Sequence, residues 1–129
     1  MMNVLLIDDD ESITNLFEKY LTRIGYNVVA TNNGGDGLYN FNNGHNFDVV
    51  ITDIDMPGLN GNDVARLIRE SKKKTIPIIA ITGSDMLDIQ YDLFNEVLTK
   101  PVRLQTLSEM IYNYGSGGDY VSGKYNQVN

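Results

Sequence analysis

The stretch Val49-Val50-Ile51-Thr52-Asp53-Ile54-Asp55-Met56-Pro57-Gly58-Leu59-Asn60-Gly61 decides how this chain is read. Four β-branched residues run together without polar alternation. Such a run makes a strand covered on both faces, as in a parallel sheet. It stops abruptly at acid, and Pro57-Gly58 and Asn60-Gly61 then turn the chain. Asp53 therefore falls at the carboxyl end of a central strand, the edge at which open α/β sheets bind their ligands.

The same design recurs on either side. Val4-Leu5-Leu6-Ile7 ends in Asp8-Asp9-Asp10-Glu11. Ile76-Pro77-Ile78-Ile79-Ala80-Ile81 ends in Thr82-Gly83-Ser84, with Pro77 at the start of the run, where a strand tolerates it. Val97-Leu98-Thr99 ends in Lys100-Pro101, and Asn27 to Thr31 is a further short strand. Between the strands lie helical patterns. From Ser12 to Ile24 the apolar positions Ile13, Leu16, Phe17, Tyr20, Leu21 and Ile24 mark one helix face, and Gly25 ends it. Asp10 reads as a helix-start residue. Gly34 to Phe41 is a weak helix. Asn60 to Ser71 carries a stripe of Val64, Ala65, Leu67 and Ile68, closed by Lys72-Lys73-Lys74, whose charges suit a helix C-terminus. Asp85 to Leu93 reads as a short helix, and Leu104, Leu107, Ile111 and Tyr112 mark a last one. Five β-α alternations with right-handed crossovers predict an α/β fold, a doubly wound five-stranded parallel sheet with helices on both faces. The folded domain is expected over residues 1–114. Residues 115–129, rich in Gly, Ser and Asn and without apolar period, are expected to form a flexible C-terminal tail.

Composition narrows the chemistry. At 129 residues the chain has the size of one domain. It has no cysteine, which excludes disulfides, thiolate catalysis and Cys-ligated zinc. His45 is the single histidine and reads as an inert loop residue. A net charge of −7 speaks against direct nucleic-acid binding. No apolar run reaches spanning length, so no membrane insertion is expected and a cytoplasmic location is the default.

Every candidate for chemistry stands just past a strand: Asp8, Asp9, Asp53, Thr82 and Lys100. In a parallel sheet those ends share one edge, so these side chains converge. Carboxylates about 5 Å apart repel by about 3 kcal/mol at an effective dielectric near 20. Mg²⁺ relieves that repulsion, because it takes a few carboxylate oxygens and keeps several waters. Lys100 adds a positive charge and Thr82 a hydroxyl. The set suits a phosphoryl group attached to a carboxylate nucleophile.

The motifs LLIDDDES, TDIDMPGLNG, IIAITG and LTKPV, in this order and at these spacings, resemble the receiver domains of two-component response regulators. The resemblance covers Asn3 to about Tyr114 and implies the flavodoxin-like strand order 2-1-3-4-5. It implies that Asp53 is the phosphoacceptor. Asp8 and Asp9 become the acidic pair, Asp9 as direct Mg²⁺ ligand and Asp8 through water. The Asp55 backbone carbonyl completes the metal site, Thr82 is the switch hydroxyl and Lys100 binds the phosphoryl group. Three positions depart from the pattern. Val97 stands where an aromatic is usual, the segment from Thr82 to Lys100 is short, and Val102 follows Lys100-Pro101 where an aromatic is frequent. The Asp55 side chain reads either as an inert turn acid or as a group that tunes water access to an acyl phosphate.

The expected function is that of a stand-alone single-domain response regulator. It would take a phosphoryl group from a histidine kinase or histidine phosphotransfer protein, and signal by protein contact or onward transfer. It would be a phosphoacceptor switch with Mg²⁺-assisted self-phosphorylation and autodephosphorylation, and not a turnover enzyme. The alternative is a Mg²⁺-dependent aspartyl-nucleophile phosphatase of the haloacid-dehalogenase type, which Asp53-Ile54-Asp55 fits superficially. Against it, the acidic pair precedes the nucleophile.

Overall fold

The computed structural model describes residues 2–44, 46–83 and 88–116. Strands β1 (Asn3–Ile7), β2 (Asn27–Thr31), β3 (Val49–Asp53), β4 (Ile78–Thr82) and β5 (Glu96–Thr99) form one sheet in the order β2-β1-β3-β4-β5, every pair parallel. Helices α1 (Glu11–Arg23), α2 (Gly34–Asn43), α3 (Gly61–Arg69) and α4 (Leu104–Gly115) cover it. Both faces of the sheet are buried, which is why its strands read as unbroken apolar runs. Leu5, Ile7, Val50, Ile78 and Ala80 pack with Phe41, Val64, Ala65 and Ile68 from α2 and α3. The alternate residues Val4, Leu6, Val49, Ile51, Ile79 and Ile81 pack with Phe17, Leu21, Leu107 and Ile111 from α1 and α4.

Local chemistry fixes the helix starts. Asp10 is the N-cap of α1, its carboxylate accepting from the N–H groups of Ser12 and Ile13, as expected of a helix-start acid. Asn60 and Asp63 form a reciprocal capping box on α3.

Several boundaries differ from the sequence expectation. α3 ends at Arg69, so Arg66 and Arg69 supply the cations of its last turn, and Lys72 to Lys74 lie in turns beyond it. β4 begins at Ile78 rather than Ile76, and Pro77 precedes it. Of the helix expected over residues 85–93, the described part holds a turn and a single 3-10 turn, Tyr91–Leu93; residues 84–87 lie outside the described residues. α4 continues through Gly115, one residue into the expected tail, and packs there against Met2. The rest of that tail, residues 117–129, and the expected inert loop position His45 also lie outside the described residues. Leu16, Ile24 and Tyr112, which belong to the apolar stripes, are exposed. Periodicity marks a face, but these helices turn only the middle of that face to the sheet.

Two glycines shape the loop after β3. Gly58 takes φ +75°, a region most side chains avoid. Gly61 lies so close to β3 that a Cβ there would stand 2.4 Å from the Asp53 carbonyl oxygen and 2.8 Å from Ile54 Cα. Its N–H donates to the Ile54 carbonyl at 2.9 Å. These contacts are to backbone, which cannot swing aside. Gly61→Ala is expected to lower stability by about 1–3 kcal/mol, read as a shifted urea midpoint with unchanged slope.

Candidate functional site

The carboxyl edge of the sheet gathers the predicted side chains. Backbone hydrogen bonds continue past the strands and lock the edge: Asp8 N–H to the Thr31 carbonyl at 3.1 Å, Ile54 N–H to the Ile81 carbonyl at 3.0 Å, and Lys100 N–H to the Thr82 carbonyl at 2.7 Å. Asp8, Asp53 and Thr82 are buried, while Asp9 is exposed. One carboxylate oxygen from each of Asp8, Asp9 and Asp53 lies within 4.8 Å of the other two. Lys100 reaches in from the end of β5, its Nζ 3.3 Å from Asp53 Oδ2 and 3.4 Å from Asp8 Oδ2. The peptide bond between Lys100 and Pro101 is cis.

The Asp53 contact is a hydrogen bond. The Asp8 contact is an ion pair off the hydrogen-bonding angle, and Asp8 Oδ2 finds no hydrogen-bond partner among the described residues. Asp8 Oδ1 accepts from the Asp10 N–H at 2.9 Å, which aims the other oxygen into the site. The Thr82 hydroxyl, fully buried, likewise lacks a hydrogen-bond partner among the described residues. A buried acceptor and a buried hydroxyl left unpaired are expensive, and both sit where the sequence places ligands. The Asp55 side chain is exposed and stands outside the carboxylate cluster. Its expected role was through its backbone carbonyl.

Electrostatics follow from this crowding. Burial pushes the Asp53 carboxyl up to about 6, and the neighbouring Asp8 charge adds to the rise; Lys100 opposes both without prevailing, and Asp9 adds a further small push. Burial by itself would lower the Lys100 ammonium, but the Asp53 and Asp8 charges outweigh it and raise it. One ammonium thus faces three acids. Three carboxylate oxygens at this spacing fit Mg²⁺.

One supporting residue has no signal in the sequence. Asn32, just after β2, donates from Nδ2 to the Asp8 carbonyl at 2.9 Å and to the Thr14 hydroxyl at 3.1 Å, tying the acidic loop to α1. An asparagine after a strand reads only as a turn residue. Its partners come from 24 and 18 residues away.

Residues 4–112 match the response regulator receiver domain family. The chain belongs to that family. It is 32% identical over 130 residues to hybrid signal transduction histidine kinase L of Dictyostelium discoideum, a match covering 93% of this chain and 8% of the kinase. The chain spans less than half the length of the curated relatives it matches. Among solved structures it is similar to a response regulator receiver domain protein from Clostridium thermocellum, with TM-score 0.81, 32% identity, and 90% and 95% of the two chains covered. It is also similar to the response regulator protein TrrA from Thermotoga maritima in complex with Mg²⁺-BeF, with TM-score 0.80, 34% identity and coverage of 88% and 99%. The chain is thus a receiver domain of two-component signalling, homologous to response regulators and to receiver domains of kinases. Receiver domains are phosphoacceptor switches, and this one carries the acidic pocket at which the family binds Mg²⁺.

The raised Asp53 carboxyl has a consequence for stability. Its folded value, about 6, lies above the ordinary 3.8. Folded protein therefore binds the proton more readily between those values, and the penalty for burying the charge is complete above pH 6. Metal-free protein is expected to be less stable at pH 7.5 than its Asp53→Asn variant by about 1–3 kcal/mol, with the gap closing as pH falls to 5. Excess Mg²⁺ is expected to stabilise the wild type at pH 7.5 far more than the variant. Urea melts of both proteins at the two pH values, with and without Mg²⁺, check this.

Proposed function

We propose that Asp53 accepts a phosphoryl group from a phosphohistidine of a histidine kinase or histidine phosphotransfer protein, in a Mg²⁺-dependent reaction. The observation that carries this reading is the buried Asp53 carboxylate, held 3.3 Å from Lys100 at the edge where Asp8, Asp9 and Thr82 also converge. Mg²⁺, when bound, would neutralise carboxylate charge and offer open positions to phosphoryl oxygens; Asp8, Asp9 and Asp53 would hold it, with the Asp55 backbone carbonyl. The chain's own groups do the rest. Asp53 presents its oxygen to phosphorus as the bond to the leaving imidazole breaks. Lys100 places its ammonium on a phosphoryl oxygen, and the unpaired Thr82 hydroxyl donates to another. Such transfer needs little beyond positioning and charge.

The donor's footing lies beside Lys100. An apolar groove is lined by Ile13, Leu16, Phe17, Ile81, Pro101 and Val102 together with Lys100. Leu16, which lines it, is about half exposed. A helical partner carrying the phosphohistidine would cover this groove. The domain then acts as a phosphoacceptor switch in the cytoplasm, its output read by a protein partner or passed on as a phosphoryl group. No described helix is long and apolar enough to cross a membrane.

With acetyl phosphate and Mg²⁺, intact mass spectrometry is expected to show one phosphoryl group gained by the wild type and none stably held by Asp53→Asn. Multiple turnover of small phosphate esters by the wild type would instead favour a phosphatase.

Val97 bears on the output. It is partly buried and packs against the cluster containing Ile89 and Phe94. Valine is stiff at χ1 and too short to swing between buried and exposed states. Phosphorylation is therefore expected to act near the Asp53, Thr82 and Lys100 loops. Amide shift mapping with beryllofluoride and Mg²⁺ is expected to show its large changes there; equally large shifts throughout residues 104–112 would contradict it.

A further inference from the structure

One peptide unit joins the acidic pair Asp8 and Asp9, and it is held from the end of β2. The Asp8 N–H donates to the Thr31 carbonyl at 3.1 Å, and the next residue, Asn32, donates from Nδ2 to the Asp8 carbonyl at 2.9 Å. Two consecutive residues thus take both backbone polar groups of Asp8. Thr31 is itself fastened to β1, its hydroxyl donating to the Leu6 carbonyl at 3.3 Å. A carboxamide nitrogen has two hydrogens, and the Asn32 Nδ2 also donates to the Thr14 hydroxyl at 3.1 Å. Thr14 is 2% exposed, and its hydroxyl donates in turn to the Glu11 carbonyl at 3.1 Å. The Asn32 side chain therefore spans the acidic loop, from its strand end to α1.

The Asp8 carbonyl and the Asp9 N–H lie in one plane. Holding the carbonyl oxygen sets the direction in which the chain leaves Asp8 and carries Asp9. The two acids differ in how their side chains are fixed. Asp8 is buried, and its Oδ1 accepts from the Asp10 N–H at 2.9 Å. Asp9 is exposed, and among the described residues no hydrogen bond or ion pair fixes its carboxylate. Yet one of its oxygens lies within 4.8 Å of oxygens of Asp8 and Asp53, against their mutual repulsion. The place of Asp9 depends on the backbone that carries it, and so on the peptide unit that Asn32 holds.

We propose that Asn32 is a positioning residue for Mg²⁺ binding. By fixing the Asp8–Asp9 peptide unit before the metal arrives, it keeps the Asp9 carboxylate beside those of Asp8 and Asp53. The cation then meets a formed pocket and does not have to order the loop. The inference rests on Asp8, Asp9 and Asp53 being the metal site and on Asp53 being the phosphoacceptor. Once Mg²⁺ is bound, the ion itself holds the loop. The loss of Asn32 therefore falls on metal affinity and not on the phosphorylation rate at saturating Mg²⁺. Groups that orient a metal ligand are worth roughly ten- to hundredfold in affinity. Asn32 acts through backbone, which puts it at the low end of that range.

The experiment compares Asn32→Ala and Asn32→Leu with the wild type and with Asn33→Ala. Asn32 is exposed, so neither replacement opens a cavity in the core. Asn33 is the adjacent control: it caps α2, its carboxamide accepting from the Asp36 N–H at 2.7 Å and donating to the Asp36 carboxylate at 2.9 Å. Four quantities are measured: the Mg²⁺ dissociation constant by calorimetric titration, the urea midpoint without metal, the phosphorylation rate at saturating acetyl phosphate and Mg²⁺, and the order parameter of the Asp9 amide without metal. Both Asn32 variants are expected to bind Mg²⁺ about five- to tenfold more weakly, to keep the saturated rate within twofold, and to show a lower order parameter at Asp9. Asn33→Ala is expected to lower the urea midpoint and leave Mg²⁺ affinity within twofold. Should one Asn32 variant fail to fold, the other decides. A folded Asn32 variant with wild-type Mg²⁺ affinity overturns the proposal, as does an equal loss in Asn33→Ala. Wild type that binds no Mg²⁺ rejects the metal site itself. Wild type that binds Mg²⁺ but gains no mass from acetyl phosphate rejects the phosphoacceptor reading, an outcome distinct from the others.

Discussion

A parallel sheet brings the carboxyl ends of all its strands to one edge, and among the described residues the loops there set the ammonium of Lys100 against the clustered carboxylates of Asp8, Asp9 and Asp53. Asp8 and Asp53 are buried, and Lys100 lies between them at 3.4 and 3.3 Å. One positive charge cannot satisfy three carboxylates spaced within 4.8 Å, and the rise of the Asp53 carboxyl to about 6 measures the imbalance. Left to itself, such a cluster would spread apart. It stays closed because the backbone beneath it is over-determined. Three ladder bonds continue past the strand ends, the Gly61 N–H bonds the Ile54 carbonyl beside Asp53, and Asn32 grips the Asp8 carbonyl. The energetic burden falls on a few side chains while both apolar faces of the sheet supply the stability.

That strain is what makes the site responsive. A divalent cation in the acidic pocket would relieve the repulsion, and the phosphoryl group proposed for Asp53 would offer a partner to Lys100 and to the Thr82 hydroxyl. An input that binds the closed cluster better than the relaxed one shifts the balance by that difference and by no more. Asp8 Oδ2 and Thr82 Oγ1, which find no hydrogen-bond partner among the described residues, are therefore better understood as places held for a ligand than as defects of packing. A core of similar size without them would be more stable and would have nothing to report.

Much of this was legible in the chain itself. Unbroken runs such as Val4–Ile7 and Val49–Thr52 can be buried on both faces only in a parallel sheet, and an acid straight after such a run has one place to go. Strand order followed from family resemblance rather than periodicity. What stayed hidden depends on contacts distant in sequence. Asn32 and Asn62 act by bonding to backbone groups 24 to 28 residues away, and nothing in an asparagine's neighbours announces such a partner. The lysine run after α3 illustrates the opposite error. A good C-terminal charge pattern was present three residues earlier, in Arg66 and Arg69, and the helix stopped there. The apolar stripe of α1 likewise includes Leu16 and Ile24, which the sheet leaves uncovered, because a period of 3.6 gives direction but not the width of the surface that will cover it.

The short return from Thr82 to Lys100 changes which part of the fold can feel the site. A full helix there would be an independent body, able to slide when Thr82 moves. Here the described part of the return is gripped at both ends by α3, through Asn62 and Arg69, and its Ile89 and Phe94 are sunk in the same core as Val64 and Ile68. Val97, behind it on β5, is anchored in that core too. Packed cores have few alternative arrangements, and the edge is tied on both sides of Thr82: the Gly61 N–H of α3 bonds the Ile54 carbonyl, and the Lys100 N–H after β5 bonds the Thr82 carbonyl. The described return is thus fastened to the body of the fold at both edges of the sheet.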